Sequence, residues 1–409
     1  MTNHLALSLA WRNLWRNPRR TVLTAGAIAF AVFLLSLVMA IKAGQYGSMI
    51  ENAAQLTTGH IQIQHKEYLA DPRLRFVVGD AARLQRSIAA QPNVVAVFPR
   101  AQTYALVSVD ERSIGAMISA VDPAAEQRWT TLPSFVRKGR YLSGSHATEA
   151  VLGAALARNL GIKLGAEVVI LGSGKSEGVA ALVVTVVGLV ETGILELDRN
   201  LVQIPIDVFR PAFELDDEAN SLVVITRDIT TASETAQTLA KLSPQLAFRA
   251  WPELLPDLVQ SIELNRISSV IFLSLVAFMV TFSIVNTFIM TVFERTREFG
   301  MLLAIGTRAG QVQRTLQLEA LLLCLLGAAA GALLGFTLIF VLSRVGIPLP
   351  VSADELFKRF HMPLRIYPRF LWVQLWAPML GMLIATQIAA FVPGLRLRRL
   401  QPVEALRAI

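Results

Sequence analysis

Four runs of apolar residues, each long enough to cross a lipid bilayer, constrain the fold of this chain more than any other feature. A membrane-spanning helix needs about 20 mostly apolar residues to cross about 30 Å of hydrocarbon. The first run, Thr21–Ile41, has 21 residues and no charge, which is too long for the apolar core of a cleaved signal peptide. The sequence therefore predicts a retained first anchor and transmembrane helices over residues 21–43, 267–293, 318–343 and 370–393.

Residues 44–266, between the first and second apolar runs, have the charge and patterning of a soluble domain. They carry 24 acidic and 20 basic residues, whereas the rest of the chain carries 6 acidic and 18 basic ones. Alternating and β-branched residues predict strands at His60–Gln64, Val94–Phe98, Thr103–Val109, Ile114–Val121, Val168–Leu171, Leu182–Val190, Leu201–Ile204 and Leu222–Thr226. A helical period predicts helices at Gly79–Gln91, Glu149–Leu160 and Thr231–Leu242. The predicted fold class is a membrane protein with four transmembrane α-helices and a large α+β extracytoplasmic domain, of one or two lobes, inserted between helices 1 and 2.

Helical patterning continues at both edges of this domain. Gly44–Gln55 follows the first apolar run, and Leu254–Arg266 precedes the second. Both transmembrane helices are therefore predicted to extend beyond the bilayer as helical stalks.

The placement of basic residues predicts the orientation of the chain, because cytoplasmic segments carry an excess of lysine and arginine. The amphipathic N-terminal helix (1–20), the loop 294–317 and the tail 394–409 are rich in arginine and are predicted to be cytoplasmic. The loop 344–369 is also basic, but four spans with both termini inside place it on the extracytoplasmic side. Because the excess charge of +8 lies mostly beside apolar runs, it indicates contact with membrane lipid rather than with nucleic acid.

Gly172-Ser173-Gly174-Lys175-Ser176 is similar to the end of a phosphate-binding loop. The full pattern needs glycine where this chain has Val169, and a helix must follow to hold the phosphates. Val179–Val190 is instead strand-like, so the segment is predicted to be a hairpin turn. The histidines are scattered, and His60 and His65 would face opposite sides of a strand, which suits no metal. We therefore expect no ATP hydrolysis, no metal and no cofactor on this chain.

Three glycines recur every fourth residue in the third apolar run. Gly327, Gly331 and Gly335 lie on one helical face, where small residues let helix backbones approach closely. The spacing is compatible with packing inside one subunit and with an interface between subunits.

A short charged stretch lies between the second and third apolar runs. Four charged residues surround a turn, and three apolar residues would form one face of a short helix that docks into a cleft on a cytoplasmic partner. The predicted docking residues are Glu294, Arg295, Arg297, Glu298, Phe299, Gly300, Leu302, Leu303 and Gly306.

These motifs resemble those of a known family. Residues 294–307 (E-R-T-R-E-F-G-M-L-L-A-I-G-T), followed by Gln317-Leu318-Glu319, resemble the hallmark of the FtsX/MacB-type ABC transporter permeases. Asn13–Thr24 (N-L-W-R-N-P-R-R-T-V-L-T) is similar to the N-terminal segment of that family, and Pro402–Arg407 (P-V-E-A-L-R) to its tail. One span, a large outer domain and three further spans follow in the order of the family.

Three segments of the outer domain are similar to the lipoprotein-releasing LolC/LolE permeases. They are Lys138–Leu142, Val187–Gly193 and Glu196–Asp198. In that group a hairpin of the outer domain hooks a periplasmic carrier. The corresponding hairpin here, Gly172–Gly178, is short and lacks an apolar tip.

The resemblance implies a non-catalytic permease subunit in the bacterial inner membrane. MacB carries its ATPase fused at the N-terminus, whereas about twenty residues precede the first span here, so we expect a separate ABC ATPase dimer that binds ATP and Mg²⁺. It also implies a second permease copy or a homologue, with spans one and two at the shared interface, and a periplasmic carrier or adaptor protein.

Three functions remain open for such a subunit. The leading one is extraction or export of a hydrophobic envelope substrate such as a lipoprotein; the alternatives are tripartite efflux of peptides or drugs and FtsX-like regulation of a cell-wall hydrolase. A lipid-anchored substrate would enter sideways at the outer ends of spans one and two. The gate is predicted at Val38, Met39, Ile41, Ile267, Val270 and Ile271.

Overall fold

The structure, a computed structural model, describes residues 3–348 and 365–397 of the chain. The motif at 402–407 and most of the loop 344–369 lie outside the described residues. Two compact units are present among these residues. The membrane unit comprises residues 3–46, 262–348 and 365–397, and the sheet unit comprises residues 47–261.

The helices and strands follow one another in an order that matches the predicted architecture. The first half contains α1 (Asn3–Arg16), α2 (Pro18–Ala53), a π-helical turn (Ala54–Thr58), β1 (Ile61–His65), α3 (Ala81–Ala89), β2 (Val94–Val109), β3 (Arg112–Val121), α4 (Pro123–Trp129), β4 (Val136–Gly139), β5 (Glu149–Gly153), α5 (Ala154–Leu160), β6 (Glu167–Ser173) and β7 (Val179–Val190). The second half contains α6 (Leu195–Asn200), β8 (Leu201–Pro205), α7 (Ile206–Ala212), β9 (Ser221–Thr226), α8 (Ala232–Ala240), β10 (Leu246–Ala250), α9 (Trp251–Leu254), α10 (Pro256–Glu294), α11 (Thr296–Ala304), α12 (Ala309–Val345), β11 (Ile347–Pro348), β12 (Arg365–Ile366) and α13 (Val373–Leu397).

Four of the described helices, α2, α10, α12 and α13, are long and apolar enough to cross a membrane, as predicted. Each contributes to one apolar core, for example through Ile28, Phe288, Cys324 and Met382. The fourth helix begins at Val373 rather than at the predicted residue 370. The reason is local, because the Gln374 side chain accepts a hydrogen bond from the Leu371 amide (3.0 Å) and caps the helix there.

The glycine row of α12 packs against α2 of the same chain. A Cβ atom at Gly327 would lie 2.6 Å from the Ala25 carbonyl oxygen, and one at Gly331 would overlap the Ala29 carbonyl. Gly335 faces Ser36 in ordinary van der Waals contact. The spacing therefore serves close packing of α2 and α12 inside this subunit. This is the first of the two possibilities that the sequence left open.

Substitution of Gly331 by alanine is expected to destabilise the membrane unit. The added methyl group must push α2 and α12 apart, and overpacking of this kind costs about 1–3 kcal/mol. Gly381→Ala in α13 is the matched control, because a Cβ atom there meets no other atom within 4 Å. Thermal unfolding in detergent measures both variants; equal melting temperatures would contradict the packing role of Gly331.

The sheet unit is built on one ten-stranded sheet with strand order β10-β1-β9-β2-β3-β8-β5-β7-β4, and β6 pairs with β2 and β7. Most neighbours are antiparallel, but β3 and β8, and β5 and β7, are parallel. Two large apolar clusters accompany it. One joins Ile118 and Ile170 of the sheet to Phe209 of α7, and the other joins Ile63 of the sheet to Leu239 of α8.

Several strand predictions need correction. The two strands predicted at Val94–Phe98 and Thr103–Val109 are one strand, β2, because its first half pairs with β9 and its second half with β3 and β6. The helix predicted at Glu149–Leu160 begins only at Ala154, because residues 149–153 form β5, buried between β7 and β8. The short strands β4 and β10 were not predicted.

A buried ion pair fixes the π-helical turn that follows α2. The Arg100 side chain on β2 donates to Glu126 of α4 and to the Thr57 carbonyl oxygen of the turn. Both charged side chains are almost completely buried. Leu56 of the same turn lies in an apolar cluster with Val121. The turn is therefore an integral part of the sheet unit.

Candidate functional site

The short helix α11 lies between the second and third membrane helices, where the charged stretch predicted it. α10 ends at Glu294, and α11 ends near Gly306, whose φ of +98° favours glycine. The amide of Gly306 donates to the Leu303 carbonyl oxygen (3.1 Å), and that of Thr307 to the Leu302 carbonyl oxygen (3.0 Å). These bonds close the last turn and set the length of α11.

The inner face of α11 is held by an apolar contact. Phe299 is only 3% exposed and packs with Val292 of α10 and with Val312 and Leu316 of α12. Phe299 was predicted to face a partner protein, and that assignment is wrong for its side chain. It instead anchors α11 to the two membrane helices beside it.

Arg295 forms the centre of a charged network at the same place. Its guanidinium donates to both carboxylate oxygens of Glu319 on α12 (3.1 Å each) and to Glu298 of α11 (3.1 Å). It also lies 5.1 Å from the centre of the Phe299 ring. One guanidinium nitrogen contacts both Glu319 oxygens while Nε holds Glu298, so the single Arg295 side chain connects α11 to α12 by charge-assisted hydrogen bonds.

The N-terminal helix joins this network. Asn13 donates to Glu319 (2.5 Å), and Arg16 pairs with Glu298 (2.6 Å). Arg20, in the first turn of α2, pairs with Glu294 at the end of α10 (2.8 Å). The network, defined here as Asn13, Arg16, Arg20, Glu294, Arg295, Glu298 and Glu319, is called the coupling network below.

The charges of the coupling network stabilise one another. Burial by itself would raise the pKa of Glu298, but hydrogen bonds from Arg295 and Arg16 outweigh it and hold that pKa below its ordinary value. A lowered carboxyl pKa adds stability that is present above the ordinary value and is lost as pH falls through the lowered one. The ion pairs of Glu298 are therefore complete at neutral pH.

The outer face of α11 has no partner among the described residues of the chain. Met301 and Leu302 are exposed, and Ile305, just after the helix, is 83% exposed. Arg297 is also exposed, whereas Leu303 is half-buried and Gly300 is buried. The available face therefore consists of Arg297, Met301, Leu302 and Ile305, and it is called the docking face below.

Sequence reasoning missed Asn13, Arg16, Arg20 and Glu319 as members of this site, and Met301 and Ile305 as members of the docking face. One signal was present. An acidic residue at the edge of an apolar run, such as Glu319, needs a partner, and arginines cluster before the first span. The hydrogen bond between Asn13 and Glu319 joins residues 306 positions apart, and no local sequence pattern specifies such a contact.

The residues predicted to form a substrate gate lie on α2 and α10. Val38, Met39 and Ile41 are half-buried, whereas Ile267, Val270 and Ile271 are exposed. Near them Lys42 donates to the Asn265 side chain (3.0 Å), which links the two helices through a polar contact that the sequence did not reveal.

The segment 172–176 forms a hairpin turn between β6 and β7, as predicted. The Gly174 amide donates to the Gly178 carbonyl oxygen (2.8 Å), and Lys175 pairs with Glu218 (2.5 Å). The Lys175 ammonium group is thus paired with a carboxylate.

The Thr192–Asp198 segment is held by its own hydrogen bonds. Asp198 accepts them from the Thr192 amide and hydroxyl (2.8 Å each).

Four membrane helices, an α+β domain inserted after the first, and a short helix held between the second and third define a polytopic membrane protein with one large inserted domain. Two family models match the chain: the FtsX-like permease C-terminal model at residues 270–402, and the MacB-like periplasmic core domain model at residues 21–242, more than half of the chain. The protein therefore belongs to the FtsX/MacB-type ABC transporter permeases. Four apolar helices and this family indicate a multi-pass protein of the bacterial inner membrane.

Relatives of two kinds match most of the chain. The lipoprotein-releasing system transmembrane protein LolC of Xylella fastidiosa is 24% identical over 332 residues, which cover 77% of this chain and 78% of LolC. The macrolide export ATP-binding/permease protein MacB of Burkholderia pseudomallei is 23% identical over 414 residues, which cover 98% of this chain but 60% of MacB. The periplasmic region of MacB from Actinobacillus actinomycetemcomitans matches 53% of this chain and 97% of that structure with a TM-score of 0.38 and 16% identity.

Proposed function

We propose that this chain couples ATP hydrolysis by a separate cytoplasmic ATPase dimer to movement of its extracytoplasmic domain, and that it extracts a lipid-anchored protein from the membrane. The observation that carries the first half is the coupling network. Arg295 bonds α11 to α12 through Glu319, and Arg16 and Asn13 bond α1 to the same two helices. A push on the docking face would therefore move three helices together.

The proposed orientation places α11 in the cytoplasm and residues 44–266 outside. Its support is the arginine content of the loop 294–317 and of the N-terminal segment. Asp217→Cys and Ile305→Cys, each in a chain that lacks Cys324, are treated with an impermeant maleimide, and only position 217 is expected to react in intact cells. Ile305 should react only after permeabilisation. Reaction of both residues in intact cells would overturn the four-span orientation.

The second membrane helix supports a second copy of the chain, or a homologue, as a partner. Only 6% of the most apolar stretch of α10 is buried, against 39% for α2. A helix so little covered by its own chain must contact lipid or another protein. We propose that α10 lines the interface between two permeases.

Lipoprotein is the substrate class that we favour, because LolC, a lipoprotein-releasing protein by name, is matched over most of its length. Lifting an acyl chain from the bilayer exposes CH₂ groups at about 0.8 kcal/mol each, so one long chain costs on the order of 10 kcal/mol. That scale explains a requirement for ATP. Efflux of a small compound is the second candidate, because MacB, a macrolide exporter by name, matches 98% of this chain.

Photo-crosslinkers at Met39 and Ile271 test the substrate class. Proteoliposomes with the ATPase are expected to yield crosslinks to an acylated lipoprotein before ATP is added and to lose them afterwards. Leu333, which is exposed on α12, is the matched control position and should not crosslink selectively. Equal capture of acylated and unacylated protein would reject lipoprotein extraction, and displacement by a macrolide would favour efflux.

A further inference from the structure

A basic and aromatic cluster lies at the end of the membrane unit opposite to α11. Arg344 is in the last turn of α12, Arg365 is on β12, and Arg369 precedes α13. Under the orientation proposed above, this end lies outside the cytoplasm, where basic residues are not favoured by topology. The three arginines therefore need a local explanation.

Aromatic side chains form a continuous series of ring contacts that begins at Arg344. The Arg344 guanidinium lies 4.3 Å from the centre of the Phe340 ring, and Phe340 stacks on Phe336 at 6.1 Å. Phe336 contacts Phe370 at 5.4 Å, and Phe370 contacts Trp372 at 5.2 Å. Phe370 directly follows Arg369, so the series runs from Arg344 at the end of α12 to the residue next to Arg369.

The backbone around the cluster is held in place. β11 and β12 pair through Ile347 and Ile366, and the Arg369 amide donates to the Ala40 carbonyl oxygen on α2 (3.1 Å). Gly346, with φ of +73°, lies against the Tyr367 ring, where a Cβ atom would approach the ring to 2.8 Å. The backbone that carries Arg365 and Arg369 is thus held against the end of α12 and against α2.

The three arginines are exposed, and none is within ion-pair distance of a carboxylate of residues 3–348 or 365–397. Beside them Trp372 is 73% exposed and Trp376 is also exposed. Tryptophans at the ends of membrane helices lie at the level of the lipid headgroups. Positive charge and an apolar aromatic surface therefore meet at that depth.

We infer that Arg344, Arg365 and Arg369 bind the phosphate of an anionic phospholipid headgroup. Arginine is suited to phosphate, because its guanidinium donates several hydrogen bonds in one plane. Trp372 and Phe340 contact the glycerol and the first acyl carbons. A free phosphate ion would satisfy the arginines but would leave this aromatic surface unused, so the surface favours a lipid.

Native mass spectrometry of the full chain in detergent tests this site. Dioleoyl phosphatidylglycerol is expected to remain bound, whereas dioleoyl phosphatidylcholine, whose choline cation neutralises its phosphate, should not. In Arg344→Gln/Arg369→Gln the affinity for phosphatidylglycerol should fall about 30-fold, since each basic residue near an anionic surface adds about a five-fold gain. Arg344→Lys/Arg369→Lys keeps the charge and should retain most of the binding.

The matched control is Arg12→Gln/Arg19→Gln, which removes the same charge at the other end of the membrane unit. It should leave the affinity at this site unchanged. Wild-type affinity in Arg344→Gln/Arg369→Gln, equal retention of both lipids, or displacement of phosphatidylglycerol by millimolar inorganic phosphate would each overturn the proposal. None of these results bears on the ATPase or on lipoprotein, so the site can fail while the proposed function stands.

Discussion

Replacement of Arg295 by methionine is expected to cost about 3–5 kcal/mol of stability and to abolish transport. The change leaves the buried carboxylate of Glu319 without its cation, and an uncompensated buried charge carries a penalty of that size. It also removes the bond that orients α11 on α12 and the contact with Glu298. Thermal unfolding in detergent measures the stability, and substrate release from proteoliposomes with the ATPase measures transport.

The double variant Arg295→Met/Glu319→Leu separates folding from coupling. With no buried charge left over, its stability should return close to that of the wild type. Transport should remain absent, because α11 is no longer bonded to α12. Arg266→Met is the control, because Arg266 is exposed and pairs with Glu263 on its own helix (2.9 Å); its stability should stay close to that of the wild type. Recovery of transport in the double variant would show that the network is only structural.

Aspartates at Leu302 and Ile305 are expected to release the ATPase from the permease. Both residues are exposed apolar members of the docking face, and apolar anchors at the centre of an interface contribute about 2 kcal/mol or more each. Loss of two anchors corresponds to an affinity about 1,000-fold lower, since about 1.4 kcal/mol is a tenfold change. Co-purification of the ATPase with the permease measures the effect.

The matched control places aspartates at Val95 and Leu106, which are exposed apolar residues of the sheet unit. Val95→Asp/Leu106→Asp should bind the ATPase as the wild type does. Phe299→Ala provides a second comparison. Because Phe299 is buried, its loss should lower the stability of the permease more than its affinity for the ATPase. If Leu302→Asp/Ile305→Asp still binds the ATPase at wild-type affinity, the partner docks elsewhere.

The strands of the outer domain show where sequence patterns stop being informative. β1, β3, β6, β7 and β9 alternate or are rich in β-branched residues, and each was predicted within a few residues. β5 was predicted as a helix, because its buried apolar run continues directly into α5 and lacks alternation. Four of the five residues of β5 are buried, so both of its faces are covered and no period of two appears. Only its pairing with β7 and β8 identifies it as a strand.

By itself, the sequence determined the four membrane helices, the inserted α+β domain and the position of α11. These follow from hydropathy, local periodicity and turn residues such as Gly306, which act between neighbours along the chain. Tertiary structure alone decided that Phe299 packs against α10 and α12, that the glycines of α12 pack against α2, and that Arg295 forms hydrogen bonds with Glu319. Each depends on which helices become neighbours, and that choice is set by the packing of the whole membrane unit. The glycine row of α12 marks a face that another helix can approach, but the sequence does not specify which helix will cover it.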